Sequence, residues 1–269
     1  MLESPIITLT TDFGLKDPFA GLMKGVMLSI NPHAKIVDIT HNIQRHNVFE
    51  ASQVIAMSYK YFPTTTIHIA VVDPGVGSMR RPILVVTEDH YFIGPDNGVF
   101  SPIFEMLKST FFKVYHVTAS HYYLPIEGST FHGRDIFAPV AAWLSKGVDS
   151  NKMGEQIDDY ITLPVPKPSI EENNSIAGEI VSIDNFGNAV SNIKKDDLAK
   201  LADTASADKF RIIFNDQQLS LAGYYAENEN RTLSAVINSF GHLELFVFTE
   251  SASAKHNIKI GDRVIVRLA

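Results

Sequence analysis

Ile67-His-Ile-Ala-Val-Val72-Asp73-Pro-Gly-Val-Gly-Ser-Met-Arg80 reads as an apolar strand ending in a carboxylate, then a glycine-rich turn, then a guanidinium. An apolar run of this length, broken only by His68, suits a strand covered on both faces of a sheet. Gly75 and Gly77 allow a tight turn and close approach of a ligand. Toward the N-terminus, Ile6–Leu9 is a short apolar strand and Lys35–Ile39 is another. Between them Phe19, Leu22, Met23, Val26, Met27 and Ile30 fall at helical spacing. Asp17 is the expected N-cap of this helix, Pro18 its first residue and Asn31-Pro32 its end. A helix is expected over 48–60, ahead of the central strand. Toward the C-terminus come strands at 83–87 and 91–94 and a helix over 99–108. A further helix after His132 carries Ile136, Val140, Ala141 and Leu144 on one side. Alternating strands and helices predict an α/β domain with a largely parallel sheet.

The pattern changes near residue 162. Residues 1–162 form the expected N-terminal domain. A Pro-rich linker spans 163–175 and includes Leu163-Pro-Val-Pro-Lys-Pro-Ser-Ile170. Over 176–269 strand signals dominate: 178–183, 210–214, 219–221, 233–237, 243–248 and 263–268, with a short helix at 198–202. Short strands separated by Gly, Asn and Asp turns predict a small antiparallel β-barrel.

With 45% hydrophobic content over 269 residues, the chain can bury a sizeable core. No run of about 18 apolar residues occurs, so no membrane span is expected. The first residues lack the pattern of a secretory leader. Cysteine is absent, which excludes disulfides and cysteine nucleophiles and fits a reducing cytoplasm. The net charge of −7 and the lack of a basic stripe argue against a nucleic-acid partner.

Three strand-end motifs carry candidate chemistry. Asp12 of Thr10-Thr11-Asp12-Phe13-Gly14 either accepts the hydroxyls of a ribose diol or caps a turn. Asp73 has Arg80 as candidate partner and Arg81 as competitor, either as part of a site or as a structural ion pair. A neighbouring guanidinium makes Asp73 an orienting group rather than a strong base. Phe131-His132-Gly-Arg-Asp135 offers an imidazole ahead of a helix, the usual proton handler at neutral pH. Asp73, His132 and Asp135 are compatible with a metal, which Arg80 and Arg134 oppose. In the second domain, Asp184-Asn-Phe186-Gly187-Asn188 offers an amide and a stacking ring, or an ordinary turn. Asn238-Ser239-Phe240-Gly241 and Tyr224-Tyr225 are open in the same way. No phosphate-cradling glycine motif is present.

Together with Gly94-Pro-Asp-Asn-Gly98, these motifs resemble the S-adenosyl-L-methionine (SAM) hydrolases that form adenosine. These are also called SAM hydroxide adenosyltransferases and are relatives of the fluorinase and chlorinase. The motifs follow the family order from residue 6 to near residue 268. The resemblance implies an N-terminal α/β domain joined to a C-terminal β-barrel. It also implies a homotrimer with each active site between the N-domain of one subunit and the C-domain of the next. Asp73, Arg80 and His132 match the family's water-activating set, and Asp12 matches its ribose-diol carboxylate. Asp17 and Asp184 match positions near the methionine ammonium. Phe186, Asn188 and Tyr225 match the adenine site, and Ser239 a methionine-carboxylate contact. No metal and no dissociable cofactor is implied. The halogenases lack the acid–guanidinium–imidazole set, which favours water as nucleophile here. The fluorinase carries Arg after the Ser of its carboxylate site, where this chain has Phe240.

The expected reaction is in-line attack of water on C5′ of SAM, giving adenosine and L-methionine. Asp73 and His132 hold the water, one of them takes its proton, and Arg80 fixes Asp73. Transfer of a halide to C5′, a SAM- or nucleoside-binding sensor without turnover, and a metal-dependent hydrolase are the alternatives.

Overall fold

The computed structural model describes residues 4–108, 110–125, 128–171, 174–201 and 210–268. The chain divides into two units, Met1–Val165 and Pro166–Ala269.

In the first unit the elements are β1 (Ile6–Thr11), α1 (Phe19–Ile30), β2 (Lys35–Thr40), α2 (Val48–Ser58), β3 (Ile67–Val71), β4 (Pro82–Val86), β5 (Tyr91–Pro95), α3 (Ser101–Met106), β6 (Lys113–Val117), α4 (Ala138–Ser145) and β7 (Gly154–Ile157). The strands form one sheet in the order β2-β1-β3-β5-β4-β6-β7. β2, β1, β3 and β5 pair in parallel. β4 is antiparallel to both β5 and β6, so β6 shares the direction of the parallel set, and β7 reverses again. Most of the sheet thus runs one way, as the α/β pattern predicts. β6 and β7 are not legible in the sequence: Lys113 and His116 interrupt the apolar positions of β6, and β7 is short with exposed Glu155 and Gln156.

The period of two along β3 decides which layer each side chain joins. Ile67, Ile69 and Val71 pack with Ile7, Leu9, Met23 and Met27 beneath α1 and α4. Ala70 and Val72 pack with Ile55, Phe100 and Ile103 beneath α2 and α3. Helices on both faces explain why the strand reads as apolar sequence interrupted only by His68. The chain leaves β1 toward β2 and returns to β3 on the other side. β1 and β3 therefore flank a topological switch point, where open α/β sheets collect ligands. Asp12 follows one of these strands and Asp73 the other.

Two helix starts differ from expectation. Asp17 does not cap α1: the cap is Pro18, without a side-chain bond, and the first helical bond runs from Leu22 N to the Pro18 carbonyl at 2.8 Å. Before α4, residues Gly133–Phe137 form a π-helical turn, with Ala138 N bonded to the Gly133 carbonyl. Pro139 explains this turn. It has no N–H for the Asp135 carbonyl, which instead accepts from Leu124 N at 3.0 Å.

The second unit comprises β8 (Ser169–Glu171), β9 (Ser175–Ile183), β10 (Ala189–Lys194), α5 (Lys195–Leu201), β11 (Phe210–Phe214), β12 (Gln217–Leu219), β13 (Leu221–Ala222), β14 (Ser234–Ile237), β15 (His242–Phe246), α6 (Ala252–His256) and β16 (Arg263–Leu268). The path β12-β11-β16-β9-β10-β15-β14-β13 is almost all antiparallel, with β13 parallel to β14 and β8 added to β9. β9 serves two ladders: its first half pairs with β16 and its second with β10. The ends of the path, β12 and β13, are separated in sequence by Ser220 alone, so the sheet nearly closes into a barrel. Ile176, Ile180, Ile193, Leu243, Leu245, Val264 and Val266 belong to its core. The strand expected at 219–221 is split at Ser220. The helix expected at 198–202 begins earlier, and Ala202 lies outside the described residues, as do 172 and 173 of the expected linker. No helix among the described residues is long and apolar enough to cross a membrane.

A buried polar thread crosses the first unit beneath α2. Thr8 Oγ1 lies 2.8 Å from His68 Nδ1, and His68 Nε2 lies 3.3 Å from His90 Nδ1. Burial, then the neighbouring His90, pushes the His68 pKa down to about 3. The unfolded chain therefore takes up this proton first. The contribution of neutral His68 is complete above about pH 6.5 and is lost as pH falls toward 3, on the order of 5 kcal/mol in all. Urea unfolding at pH 7 and pH 4.5 checks this: His68→Phe flattens the loss of stability between the two values.

Candidate active site

Asp12, Asp17, Asp73 and His132 line one cleft of about 320 Å³ in the first unit, with Phe13, Phe19, Arg45, His46 and Phe131. Phe13, Phe19 and Phe131 meet edge to face, with ring centroids 5.3 to 5.7 Å apart. They also line an adjoining depression of about 500 Å³ with Arg134 and Asp135. This aromatic wall was not foreseen. The helical spacing puts Phe19 on the apolar face of α1, yet it is 40% exposed.

Asp73 and Arg80 form a two-pronged ion pair. Arg80 Nε donates to Asp73 Oδ1 at 3.0 Å and Arg80 Nη2 donates to Asp73 Oδ2. Arg80 Nη2 also donates to His132 Nδ1 at 2.7 Å. The structure thus chooses Arg80 over Arg81 as partner of Asp73. Both side chains of the pair are buried, and Arg80 does not line the cleft. Its Nη1 is buried without a hydrogen-bond partner among the described residues, while the guanidinium faces the Phe137 ring at 5.3 Å.

This geometry fixes the tautomer of His132. A guanidinium only donates, so Nδ1 must be an acceptor and neutral His132 carries its proton on Nε2. Burial first, then the Arg80 charge, holds the His132 pKa below its ordinary value, against the opposing pull of Asp73 and Asp135. His132 is therefore a neutral donor toward the cleft at pH 7, and Asp73 keeps lone pairs beyond those used by Arg80.

Gly77 joins the two segments. Its φ of 79° is a left-handed conformation, and an added Cβ would lie 2.6 Å from the Ser129 carbonyl oxygen. The turn after Asp73 therefore packs directly against the segment leading to His132. Asp12 Oδ2 accepts from His46 N at 2.9 Å, which orients its carboxylate in the cleft. Asp135, the third member of the possible metal set, pairs instead with Arg134 at 2.6 Å. Among the described residues no group of three or more His, Asp or Glu side chains is placed to hold a metal ion.

The remaining candidates lie in the second unit. Asp184 Oδ1 accepts from Phe186 N at 2.9 Å and Asn188 N at 2.8 Å, and Asn188 Nδ2 donates to Asp184 Oδ2 at 3.2 Å. Asn238 Oδ1 does the same for Phe240 N and His242 N, at 3.0 and 3.1 Å. Gly187 and Gly241 take φ of 83° and 80°, so the two turns share one design. The turn role is seen in both segments, and each turn leaves its Phe outside: Phe186 is 77% exposed and Phe240 49%. Ser239 is exposed on the second turn. Tyr225 Oη donates to Glu244 Oε1 at 2.8 Å, and Asn238 Nδ2 donates to Glu244 Oε2 at 2.9 Å. Burial, then Glu244, raises the Tyr225 pKa. Glu244, which sequence reading missed, thus ties Tyr225 to the turn that bears Ser239. Its signal was a carboxylate alternating with Leu243 and Leu245. The two turns lie at opposite ends of β10, since Ala189 pairs with Ile183 and Lys194 with His242.

Arg80→Met removes one of the two causes that depress His132. NMR titration of the imidazole then gives a pKa closer to 6.5 than in the unaltered protein, and an unchanged titration would mean that the guanidinium does not reach Nδ1.

The chain matches the family models of the SAM hydroxide adenosyltransferase N-terminal domain, over residues 7–154, and C-terminal domain, over residues 178–265. It is 35% identical to an (R)-S-adenosyl-L-methionine hydrolase from Methanocaldococcus jannaschii, across 96% of this chain and 94% of that protein. A fluorinase from Nocardia brasiliensis is more distant, 25% identical across 98% and 97%. A crystal structure of an uncharacterized conserved protein from Thermotoga maritima superposes with a TM-score of 0.87 at 34% identity, covering 97% of this chain and 99% of that one. Both family models fall in order on the two units, and the chain belongs to the SAM hydroxide adenosyltransferase family.

Proposed function

We propose that this protein hydrolyses SAM to adenosine and L-methionine by in-line attack of water on ribose C5′. The observation that carries the reading is the Asp73–Arg80–His132 assembly on the cleft at the β1/β3 switch point. The name of the M. jannaschii relative, an (R)-S-adenosyl-L-methionine hydrolase, supports the substrate.

The sulfonium of SAM is its own leaving group. As the water oxygen bonds to C5′, the C5′–S pair stays on sulfur and methionine departs as a neutral thioether. No general acid is required at sulfur. The attacking oxygen must lose a proton. With Nδ1 occupied and Nε2 protonated, His132 donates to that oxygen and aligns it, and Asp73 is the acceptor. Arg80 acts through both, fixing the carboxylate and the imidazole. Asp12 is assigned to the ribose diol and Asp17 to the methionine ammonium. Asp184, Phe186, Asn188, Tyr225 and Ser239 are assigned to the methionine and adenine ends. The mechanism calls on no metal and no cofactor. A homotrimer in the cytoplasm, with these second-unit residues meeting the cleft of a neighbouring subunit, completes the proposal, and sedimentation at three times the chain mass checks it.

Incubation of SAM in ¹⁸O-water tests the chemistry directly. The label is expected in the 5′-hydroxyl of adenosine, with methionine unlabelled and with no effect of chloride, fluoride or EDTA. A 5′-halo-adenosine product, or SAM bound and unchanged, would overturn the reading. Asp73→Asn retains the fold and loses roughly 10²–10⁴-fold in turnover by chromatographic assay.

A further inference from the structure

The sheet order β3-β5-β4 forces the chain leaving β3 to pass over the C-terminal end of β5 before it enters β4. That passage is the loop that holds Asp73 and Arg80. The two residues immediately after β5 are Asp96 and Asn97, at the point of crossing. We infer that Asp96 and Asn97 are positioning residues that clamp both ends of this loop and so set the geometry of Asp73, Arg80 and His132.

Asn97 holds the incoming end. Its Nδ2 donates to the Val72 carbonyl at 2.9 Å, one residue before Asp73. Asp96 holds the outgoing end. Arg81 Nε and Nη2 donate to Asp96 Oδ2 at 2.9 and 2.7 Å, one residue after Arg80, and Asp96 N donates to the Arg81 carbonyl at 2.8 Å. Asp96 is itself buried and accepts from Ile161 N through Oδ1 at 2.8 Å. Arg81 is further anchored on Asp159, at 2.7 Å to Oδ1 and 2.8 Å to the carbonyl. Within the loop, Val76 N donates to the Asp73 carbonyl at 3.2 Å and Ser78 Oγ to the Gly75 carbonyl at 2.7 Å. With Gly77 against Ser129, the loop is fixed at both ends and at its crest.

Neither Asp96, Asn97 nor Arg81 lines the cleft, so each acts through the loop. A reacting group displaced by about 1 Å can lose on the order of 10²-fold in rate. The clamp thereby gives a reason for adjacent arginines with different duties: Arg80 holds Asp73 and His132, and Arg81 ties the loop to β5.

The test rests on the SAM hydrolase reading and is arranged to fail separately from it. Asn97→Asp keeps the acceptor that Val99 N uses at 3.2 Å but removes the N–H given to Val72. Asn97→Leu removes the same N–H without adding charge. Both are expected to lower kcat for SAM roughly 10–100-fold, with KM changed by less than about threefold. Both are also expected to move the His132 NMR titration toward that of the Arg80→Met protein. Asp96→Asn, where it folds, behaves alike. Unchanged kcat, a rise in KM alone, or a fall in kcat with the His132 titration unmoved would overturn the clamp. Absence of SAM turnover in the unaltered protein would overturn the hydrolase reading, and the His132 titration would still decide the clamp.

Discussion

The buried pairing of Asp73 with Arg80, extended to His132, is the constraint on which the rest of the site depends. Removing two charges from water costs several kcal/mol for each ion, and their attraction recovers this only with good geometry. Such a pair is a poor source of stability and a strong determinant of arrangement. Here it uses both prongs of the guanidinium on the carboxylate and one again on the imidazole, while Nη1 goes unmatched among the described residues. A pair serving only the fold would gain from having no orphan donor. Its placement at the end of β3, beside a cleft, gives the expense a chemical purpose.

The surrounding structure keeps that pair in one state. The sheet crosses from β1 to β3 where ligands gather, and the departure from β3 passes over β5 under the hold of Asp96 and Asn97. On the other side, Pro139 denies the Asp135 carbonyl its helical donor, and the chain answers with a π turn directly after His132. Three unrelated local causes thus converge on one small volume: a sheet crossover, a proline and a left-handed glycine. None supplies chemistry. Each removes freedom from a group that does.

The second unit follows a different logic. Its two Asx-framed turns spend the polar atoms of Asp184 and Asn238 on backbone amides and put a phenyl ring outside each time. Gly187 and Gly241 both take left-handed backbone to close these turns. Glu244 then joins the Tyr225 hydroxyl to the second turn and gives an otherwise exposed surface a fixed polar frame.

The strand and helix alternation, the change of character beyond residue 162, and Asp73, Arg80 and His132 as candidates are all legible in the amino-acid sequence. Those signals are local: apolar periodicity, glycine at turns, and residue types whose chemistry is distinctive. The sequence did not determine β6 or β7, whose polar positions hide the period, or β10, whose pairing shifts register on both sides, nor the cap of α1, which Pro18 takes from Asp17. It left open which arginine meets Asp73, because Arg80 and Arg81 differ by one residue and only the β3-β5-β4 order sends one toward Asp73 and the other toward Asp96. The proton on His132 was equally out of reach. It is assigned by a single 2.7 Å contact across 52 residues of chain, and a contact of that kind exists only once the sheet has brought both segments to the same edge.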